Sequence, residues 1–247
     1  MTSAAKTSRL VPIPPHAWDL PIAEALALQR ELAGRVATEG EPKDVKLIAG
    51  CDCSFDKASD TAFGVVVVLR WPELDVVEEA AHAGPTPFPY VPGLLSFREG
   101  PILIEAFRKL RRRPDLILFD GQGQAHPRGL GIASHMGLLL GIPSIGAAKS
   151  RLYGAEPEAP AMEQGGVAKL LAPDGRVIGL VLRTRARVKP IYVSVGHGLS
   201  LDAARRWTLA VAGRYRAPLP TRLADSLAAK TKSAFLERKA LFVQRET

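Results

Sequence analysis

Apolar positions along the chain follow two different spacings. From residue 20 to residue 38 they recur at helical intervals, whereas residues 45–55, 64–71 and 74–84 carry the apolar and β-branched runs typical of strands. A short turn containing Pro72 separates the last two of these runs. The pattern therefore predicts one helix followed by three strands, of which the last two form an antiparallel meander.

Helices and strands alternate along the rest of the chain. The run DLILFDG at residues 115–121 is apolar almost throughout, as expected of a parallel strand buried on both faces. Ser200 is a predicted N-cap, because its hydroxyl can accept a hydrogen bond from the first turn of a helix. Further helices are predicted at residues 96–111, 130–140, 200–213 and 221–242, and further strands at residues 142–148, 177–184 and 191–196. This order predicts an α/β fold of the ribonuclease H-like type, with a mixed central sheet flanked by helices.

One domain accounts for most of the chain. Residues 1–17 are rich in Ser, Pro and Ala and are predicted to form a flexible N-terminal lead-in, whereas residues 18–247 are predicted to form a single domain. The sequence contains no internal repeat and no apolar run of membrane-spanning length. Its first residues lack the charged-then-apolar order of a signal peptide. We therefore expect a cytoplasmic protein without a membrane partner, and no feature indicates an obligate protein partner.

The charge of the chain favours an anionic partner. The formal net charge is +8, which makes nucleic acid the leading candidate and a merely basic soluble protein the alternative. Arg183, Arg185, Arg187 and Lys189 alternate, so they share one strand face if the preceding strand continues through them. The run RKLRRR at residues 108–113 lies at a predicted helix end, where we favour a solvated surface over a binding role.

The cysteines do not belong to a recognisable zinc site. Cys51 and Cys53 lie on one predicted strand, which places their side chains on one face and Asp52 on the other. No second cysteine pair and no suitably spaced histidine pair completes a set of zinc ligands. We interpret both cysteines as small buried apolar residues in a reducing compartment.

Two aspartates end predicted core strands. Asp52 lies near the C-terminal end of its strand, and Asp120 closes the run LILF before a Gly-rich loop. If these strands are neighbours, about 4.8 Å apart, the two carboxylates converge on one ion, and Mg²⁺ prefers such hard oxygen ligands. A turn-forming aspartate at a strand end is the alternative for Asp52.

Glu99 is a third candidate ligand, at the start of the helix that follows the meander. From there its carboxylate could close a metal-binding cluster. Ser96 and Glu99 also have the S-x-x-E spacing of a helix capping box. Pro101 argues against a capping box, because a helix that starts at residue 97 would contain the proline. The pattern leaves both interpretations open.

These candidates occur within four longer motifs. The segments GCDCSF, PYVPGLLSFREGP, FDGQGQAHPRGLGIASHMG and GAAKSRL resemble endonuclease V in sequence and in order. The similarity covers about residues 45 to 245 and is densest from 85 to 153. It implies a ribonuclease H-like fold and an endonuclease that depends on Mg²⁺, with Mn²⁺ as a substitute. The implied reaction cleaves the second phosphodiester bond on the 3′ side of a deaminated purine such as deoxyinosine, leaving 3′-hydroxyl and 5′-phosphate ends.

The resemblance also implies roles for single residues. The matches are Asp52, Glu99, Asp120 and Asp225 for metal binding, and His126 and Lys149 for catalysis. A lysine near the scissile phosphate supplies fixed positive charge where negative charge develops. The alternatives are a loop histidine bonded to backbone for His126 and a solvated helix residue for Asp225.

Base recognition requires a wedge and a pocket. An enzyme that reads an altered base takes that base out of the stack, and an inserted apolar or aromatic wedge offsets part of the unstacking cost. The resemblance assigns the wedge to Pro89, Tyr90, Val91 and Pro92 and the base pocket to Gly93, Leu95 and Gly123. The two prolines stiffen the loop and hold Tyr90 outward. The alternatives are a Tyr90 packed beneath its own loop and a turn-forming role for Gly121 and Gly123.

The expected partner is DNA that contains deaminated bases. Inosine in single-stranded RNA is an alternative substrate, because the sequence does not reveal whether the site has room for a 2′-hydroxyl. A non-catalytic inosine-binding protein is a further alternative, against which the clustered acids and Lys149 argue. A ribonuclease acting on RNA–DNA hybrids would need neither the wedge nor the Gly-lined pocket. His197 lies in another stretch that matches the family, but no role can be derived for it.

Overall fold

A mixed sheet of eight strands lies at the centre of the structure. The computed structural model describes residues 16–86 and 88–243, with side chains described up to residue 237. The helices are α1 Ile22–Ala33, α2 Leu95–Arg108, α3 Ile132–Leu140, α4 Leu201–Ala212 and α5 Leu219–Val243. The strands are β1 Leu47–Asp56, β2 Thr61–Arg70, β3 Val76–Pro85, β4 Leu116–Phe119, β5 Ser144–Ala148, β6 Val167–Leu171, β7 Val177–Leu182 and β8 Ile191–His197.

Parallel strands form the middle of this sheet. Its strand order is β3-β2-β1-β4-β5-β8-β7-β6. β1 and β4 pair in parallel, as do β4 and β5, whereas β2, β3, β6, β7 and β8 make antiparallel pairs. The predicted antiparallel meander is confirmed. Because β1 and β4 are parallel neighbours, their carboxyl ends meet at the same edge of the sheet.

Helices cover both faces of the sheet. On one face α2 and α3 pack on β1, β2 and β4 through buried residues that include Cys51, Phe107, Phe119 and Met136. On the other face α4 packs near β5 and β8, and α5 packs on β2. The predicted α/β fold with a mixed central sheet flanked by helices is confirmed. Among the described residues, no helix combines the length and the apolarity needed to cross a membrane.

The start of α5 lies directly against β1. A Cβ added at Gly50 would lie only 2.1 Å from the carbonyl oxygen of Pro220. Only glycine allows the two backbones to approach this closely. The first turns of α5, which carry Asp225, are therefore held against the strand that carries Asp52.

Two elements differ from the sequence prediction. Helix α1 ends at Ala33 rather than at residue 38. Strand β6 was not predicted, because its five residues alternate exposed and buried positions at the edge of the sheet and carry a weak pattern. Ser200 is confirmed as the N-cap of α4, since its Oγ accepts a hydrogen bond from the Ala203 N–H at 3.1 Å.

The prediction that four cations share one strand face is wrong. β7 ends at Leu182, and Arg183 is buried, with its Nε donating to the Ala161 carbonyl oxygen at 2.6 Å. Arg187 has a φ of 60°, which breaks the extended backbone. The segment after β7 is therefore a turn rather than a continued strand.

The basic run after α2 fixes the end of that helix to β3. Lys109 Nζ donates to the Ala81 carbonyl oxygen at 2.6 Å. The backbone N–H groups of Arg111 and Arg112 donate to the Glu78 carboxylate at 2.8 and 3.1 Å. The run therefore has a structural role, which the interpretation as a purely solvated surface missed.

Only the end of the predicted N-terminal lead-in belongs to the described residues. Residues 1–15 lie outside them. His16 contacts α3, with its Nε2 atom 2.7 Å from Nε2 of His135 and the two ring centroids 4.9 Å apart. This contact connects the beginning of the described chain to a helix of the core.

Candidate metal centre and base pocket

Asp52 and Asp120 lie side by side at the carboxyl edge of the sheet. Cys51 and Phe119 are register partners in the parallel pair of β1 and β4. The residues that follow them therefore lie on adjacent strands, about 4.8 Å apart. The Oδ1 atom of Asp52 accepts a hydrogen bond from the Cys53 N–H at 2.9 Å. The structure thus brings the two predicted aspartates together.

Glu99 approaches the same edge from α2. The helix begins at Leu95 with Leu94 as N-cap and no side-chain cap, so the capping-box interpretation is wrong. Ser96 instead lies in the first turn, with its hydroxyl 2.8 Å from His135 Nδ1. Glu99 is half-buried, and it lies close enough to Asp52 for the charge of that residue to raise the pKa of Glu99.

Burial and mutual repulsion shape the protonation of these carboxylates. Burial raises the pKa of Asp52 to about 7, and the charges of Asp120 and Asp225 add to the increase, against the Cys53 N–H and Lys149. Burial likewise raises the pKa of Glu99 to about 8, with Asp52 adding to it. Burial, with repulsion between the carboxylates, therefore favours the protonated form of Asp52 and Glu99.

Lys149 is the cation that contacts this cluster. Its Nζ lies 2.5 Å from Oδ2 of Asp120. Burial disfavours the ammonium, but the hydrogen bond and charge of Asp120 outweigh burial and raise the pKa of Lys149. The carbonyl oxygen of Lys149 accepts a hydrogen bond from Arg216 Nη2 at 2.6 Å, and Arg216 Nε donates to the Lys189 carbonyl oxygen at 2.9 Å. Arg216 therefore fixes the backbone from which Lys149 projects.

Asp225 lies near the cluster from the opposite helix layer. It is exposed on α5, yet its charge adds to the raised pKa values of both Asp52 and Lys149. The close packing of α5 on β1 holds it there. The structure thus places Asp225 beside the candidate metal ligands and not on a remote helix face.

The carboxylates fit a hard divalent cation in kind and in charge. Carboxylate oxygens are the ligands that Mg²⁺ prefers, and a cation would relieve the repulsion described above. Within residues 16–86 and 88–243, no three acidic, histidine or cysteine side chains are already arranged as a metal-binding group. Asp120 pairs with Lys149 and Asp52 accepts its neighbour's N–H, so both carboxylates already have a partner within the protein.

A pocket of about 410 Å³ opens beside the cluster. This volume lies within the range of about 300–1,000 Å³ that is usual for small-ligand sites. Among the residues that line it are Tyr90, Gly93, Leu95, Asp120, Gly121, His126, Ile132 and Lys149. We call it the base pocket. Because Asp120 and Lys149 form part of its wall, a group bound in it lies next to the carboxylate cluster.

Tyr90 stands at the mouth of the base pocket. It is 73% exposed, so the alternative that it packs beneath its own loop is wrong. Pro89 and Pro92 are exposed as well, and Val91 is half-buried. Phe88 anchors the loop, because it is buried and its carbonyl oxygen accepts a hydrogen bond from Arg98 Nη1 at 2.9 Å. The loop therefore presents an aromatic ring to solvent from a fixed base.

Three side chains converge on the carbonyl oxygen of Gly93. Gln29 Nε2, Arg128 Nη2 and His126 Nε2 lie 3.0, 2.8 and 3.0 Å from it. Gln29 Nε2 also donates to the Leu130 carbonyl oxygen at 2.8 Å, and its amide oxygen accepts from Arg128 Nε. Gly93 has a φ of 79°, and a Cβ there would lie 2.6 Å from Arg128 Nη2. The three side chains therefore fix the turn between the wedge and α2, and the positive φ of this turn favours glycine.

His126 lines the base pocket as a neutral ring. Burial lowers its pKa to about 4, and the charge of Arg128 adds to the decrease. Its Nδ1 accepts the Arg128 N–H at 3.1 Å, so Nε2 carries the proton and donates to the Gly93 carbonyl oxygen. Both ring nitrogens are thus engaged with backbone, which favours the alternative role of a loop histidine.

Gly123 lies outside the lining of the base pocket. Its N–H donates to Ser194 Oγ at 2.9 Å, and a Cβ there would lie 2.0 Å from the Val195 carbonyl oxygen. Gly123 therefore allows its loop to pack against β8. Gly121 lines the pocket in its place, beside the predicted Gly93 and Leu95.

Gln29, Arg128 and Arg216 were not predicted as site residues. Gln29 lies on an amphipathic helix, where a glutamine carries no distinctive signal, whereas Arg128 lies in the HPRG motif two residues after His126 and could have been found there.

Outside the pocket, His197 Nδ1 accepts the Ala37 N–H at 3.2 Å and so fixes the segment after α1 to β8.

Comparisons with known proteins agree with this geometry. A family model described as endonuclease V matches residues 30–226. Endonuclease V of Trichormus variabilis is 47% identical over 215 residues, which are 87% of this chain and 96% of that protein. The structure of endonuclease V from Streptomyces avermitilis matches with a TM-score of 0.85 and 43% identity, covering 90% of this chain and 97% of that one. A further match is the structure of endonuclease V of Ciona intestinalis in complex with a 24mer DNA containing an inosine followed by a ribo-adenosine. Its TM-score is 0.75 and its identity 26%, and the match covers 87% of this chain and 98% of that one.

Proposed function

This chain belongs to the endonuclease V family, and from that premise we propose that it is a Mg²⁺-dependent endonuclease acting on DNA that contains deaminated purines such as deoxyinosine. It cleaves the second phosphodiester bond on the 3′ side of the altered base and leaves 3′-hydroxyl and 5′-phosphate ends. The complex of the Ciona relative with inosine-containing DNA supports this choice of substrate.

The observation that carries the proposal is the wall shared by the base pocket and the carboxylate cluster. Asp120 and Lys149 line the pocket, and Asp120 lies beside Asp52 at the end of the adjacent strand. A base held in the pocket therefore brings the phosphates of its own strand close to the carboxylates. The groups that recognise the base and the groups that hydrolyse the strand are thus neighbours.

Tyr90 and the base pocket perform the recognition. The exposed Tyr90 ring inserts where the altered base leaves the stack and offsets part of the unstacking cost. Backbone groups at Gly93 and Gly121 can approach the base edge closely, because neither residue has a side chain. Hypoxanthine lacks the 2-amino group of guanine, so a tight pocket can exclude guanine by shape.

The polar groups of the cluster perform the hydrolysis. Asp52, Glu99 and Asp120 would hold Mg²⁺, with Asp225 as a further carboxylate within electrostatic reach. When bound, Mg²⁺ stabilises charge at the phosphate and activates water. The Lys149 ammonium supplies fixed positive charge as negative charge develops on the phosphate oxygens. The hydrogen bond from Arg216 to the Lys149 carbonyl oxygen fixes the backbone from which this ammonium projects.

A nicking assay under single-turnover conditions tests the proposal. Labelled duplexes that differ only in one deoxyinosine or deoxyguanosine are incubated with Mg²⁺, with Mn²⁺ or with EDTA, and a matched RNA strand with one inosine is run in parallel. We expect one cut in the inosine duplex when a divalent ion is present. Equal cutting of the guanine duplex would contradict recognition, cutting in EDTA would contradict metal dependence, and faster cutting of the RNA would make RNA the substrate.

The Asp120→Asn variant links the cut to the cluster. We expect it to lose cleavage by about 10²-fold or more, the usual scale for removing one stabilising group from a site, while still binding the inosine duplex. Asp202→Asn is the matched control, because Asp202 is an exposed carboxylate on α4 outside the site. Loss of cleavage in both variants would contradict the assignment.

A further inference from the structure

A second pocket of about 410 Å³ lies behind the base pocket. Its lining includes Arg30 at the end of α1, Arg128 and His126 from the loop before α3, Tyr153, and Arg176 before β7. We call it the arginine pocket. None of its lining residues is acidic. Neither the carboxylate cluster nor the base pocket accounts for this concentration of positive charge.

The cations of the arginine pocket have few acidic partners. Within the described part of the chain, neither Arg30 nor Arg128 forms an ion pair, and Arg176 has one exposed pair with Asp174 at 3.6 Å. Arg30 and Arg128 line the same pocket, and burial, followed by the charge of Arg30, lowers the pKa of Arg128. Like charges held together without an acid favour a bound anion.

The position of the pocket indicates which anion it binds. His126 lines both pockets, so the loop that carries it is the partition between them. Because the two pockets share this loop, a strand whose base enters the base pocket can reach the arginine pocket with a neighbouring group of its backbone. The group that such a strand presents at regular intervals is the phosphate, and a guanidinium matches phosphate with paired N–H donors.

We infer that the arginine pocket binds a backbone phosphate of the substrate strand, flanking the nucleotide whose base enters the base pocket. This inference rests on the proposed function. Arg30 and Arg176, which are both exposed, supply the charge at the surface. Arg128 faces the phosphate and also donates to the Gly93 carbonyl oxygen. One side chain therefore contributes both to binding the nucleic-acid backbone and to the shape of the base pocket.

Salt-dependent binding measurements test the inference without any cleavage. The probes are fluorescein-labelled duplexes with one deoxyinosine or one deoxyguanosine, in EDTA, between about 50 and 200 mM salt. We expect Arg30→Ala to raise Kd about tenfold for both duplexes, because a phosphate contact carries no base information. The slope of log(1/Kd) against log salt should become less negative by about 0.9, which corresponds to the loss of one phosphate contact. Arg30→Lys should restore most of that slope.

Two further variants make the outcome specific. Arg111→Ala removes an equal charge beside β3, where the side chain is 86% exposed, and should leave both Kd and the salt slope unchanged. Tyr90→Ala should weaken only the inosine duplex and leave the slope unchanged. Thermal unfolding of each variant confirms that it is folded.

The results separate the arginine pocket from the proposed function. An unchanged salt slope in Arg30→Ala would overturn the inference, as would a loss confined to the inosine duplex, since the pocket would then read the base. If the wild-type protein binds both duplexes equally, the proposed specificity fails, but the slope change in Arg30→Ala still reports on the phosphate contact.

Discussion

Gln29 is a buried polar residue whose amide nitrogen and amide oxygen are both hydrogen-bonded. Its Nε2 donates to the carbonyl oxygens of Gly93 and Leu130, and its Oε1 accepts from Arg128. Leaving a buried donor or acceptor without a partner costs about 1–3 kcal/mol, so such a residue sets the positions of its partners. Because one partner is the turn that leads into the base pocket, Gln29 acts as a positioning residue for recognition.

We expect Gln29→Leu to reduce discrimination between inosine and guanine about tenfold, together with a loss of about 1–3 kcal/mol in the free energy of unfolding. Gln29→Glu keeps an acceptor for Arg128 but cannot donate to the two carbonyl oxygens. If the donated bonds shape the pocket, the glutamate variant loses discrimination as well. The measurements are cleavage rates on the two duplexes and urea denaturation.

The control for Gln29 is an exposed glutamine of the same chain. Gln164 makes only a long hydrogen bond, at 3.4 Å, to the Gly213 carbonyl oxygen, so Gln164→Leu should change neither quantity. If both Gln29 variants lose stability but keep the wild-type ratio of the two cleavage rates, the residue has a structural role alone.

Sequence patterns predicted the residues with distinctive neighbours. Asp52 and Asp120 each follow an apolar run, and the structure places them side by side, with Asp52 inside β1 and Asp120 directly after β4. The environment of Gln29 could not be predicted, because its partners lie 64 and 101 residues further along the chain. Gly123 was assigned to the pocket, but its contact with Val195 depends on strand packing that the local sequence does not encode.

At the scale of elements, the wedge loop and α2 meet at Gly93. This residue has a φ of 79°, and its carbonyl oxygen receives the Gln29, Arg128 and His126 donors. The loop before it carries Tyr90 and the helix after it carries Glu99. The backbone conformation of one residue therefore sets the angle between the recognition loop and the helix that supplies a candidate ligand.

We expect Gly93→Ala to lose inosine preference and about 1–3 kcal/mol in the free energy of unfolding, because the new Cβ would lie 2.6 Å from Arg128 Nη2 at a left-handed backbone position. Gly175→Ala is the matched control. Gly175 has a φ of 82°, and no heavy atom lies within 4 Å of its added Cβ. Both variants carry backbone strain, but only Gly93 lines the base pocket and contacts Arg128, so an effect of strain alone on stability would appear in both variants. The measurements are urea denaturation and duplex binding. Equal loss of preference in both would exclude that contact as the cause.

Elements whose apolar positions recur at regular spacing were predicted, whereas elements that depend on tertiary contacts were not. The meander and α4 follow their apolar patterns closely. β6 pairs only with β7 and alternates at the edge of the sheet, so its five residues carry little hydrophobic signal. The cations after β7 alternate as in a strand, but β7 ends at Leu182 and Arg183 is buried against a neighbouring loop.

At the scale of the whole molecule, the sheet gathers residues that are far apart in sequence. Asp52 and Asp120 meet because β1 and β4 are parallel neighbours, and Asp225 joins them because α5 lies directly on Gly50 of β1. Lys149 follows the end of β5, the next strand of the parallel core. The candidate site therefore depends on the topology of the sheet centre. The order of elements predicted the mixed α/β sheet, whereas the sequence left open whether β1 and β4 are neighbours.

The pH dependence of stability combines groups whose pKa values shift in opposite directions. Burial, with the charge of His16 adding, lowers the pKa of His135 from 6.5 to about 3. Between these values the unfolded chain binds a proton that the folded chain does not, so the contribution of His135 is complete above pH 6.5 and is lost as pH falls. Asp52 and Glu99 have folded pKa values raised to about 7 and 8, so their contributions are present at low pH and are lost as pH rises.

We therefore expect wild-type protein to lose about 2 kcal/mol more than His135→Gln between pH 7 and pH 5, the window in which the unfolded histidine takes up its proton. Glutamine stays uncharged over this window and can still donate to His16 Nε2, which accepts because Nδ1 of that ring donates to the Ala17 carbonyl oxygen. Urea denaturation at both pH values in EDTA measures the difference, and the acidic contributions cancel because both proteins share them. His82→Gln is the control, since His82 is only half-buried on β3 and should follow the wild-type protein. The same loss in wild type and His135→Gln would show that another group takes up the proton.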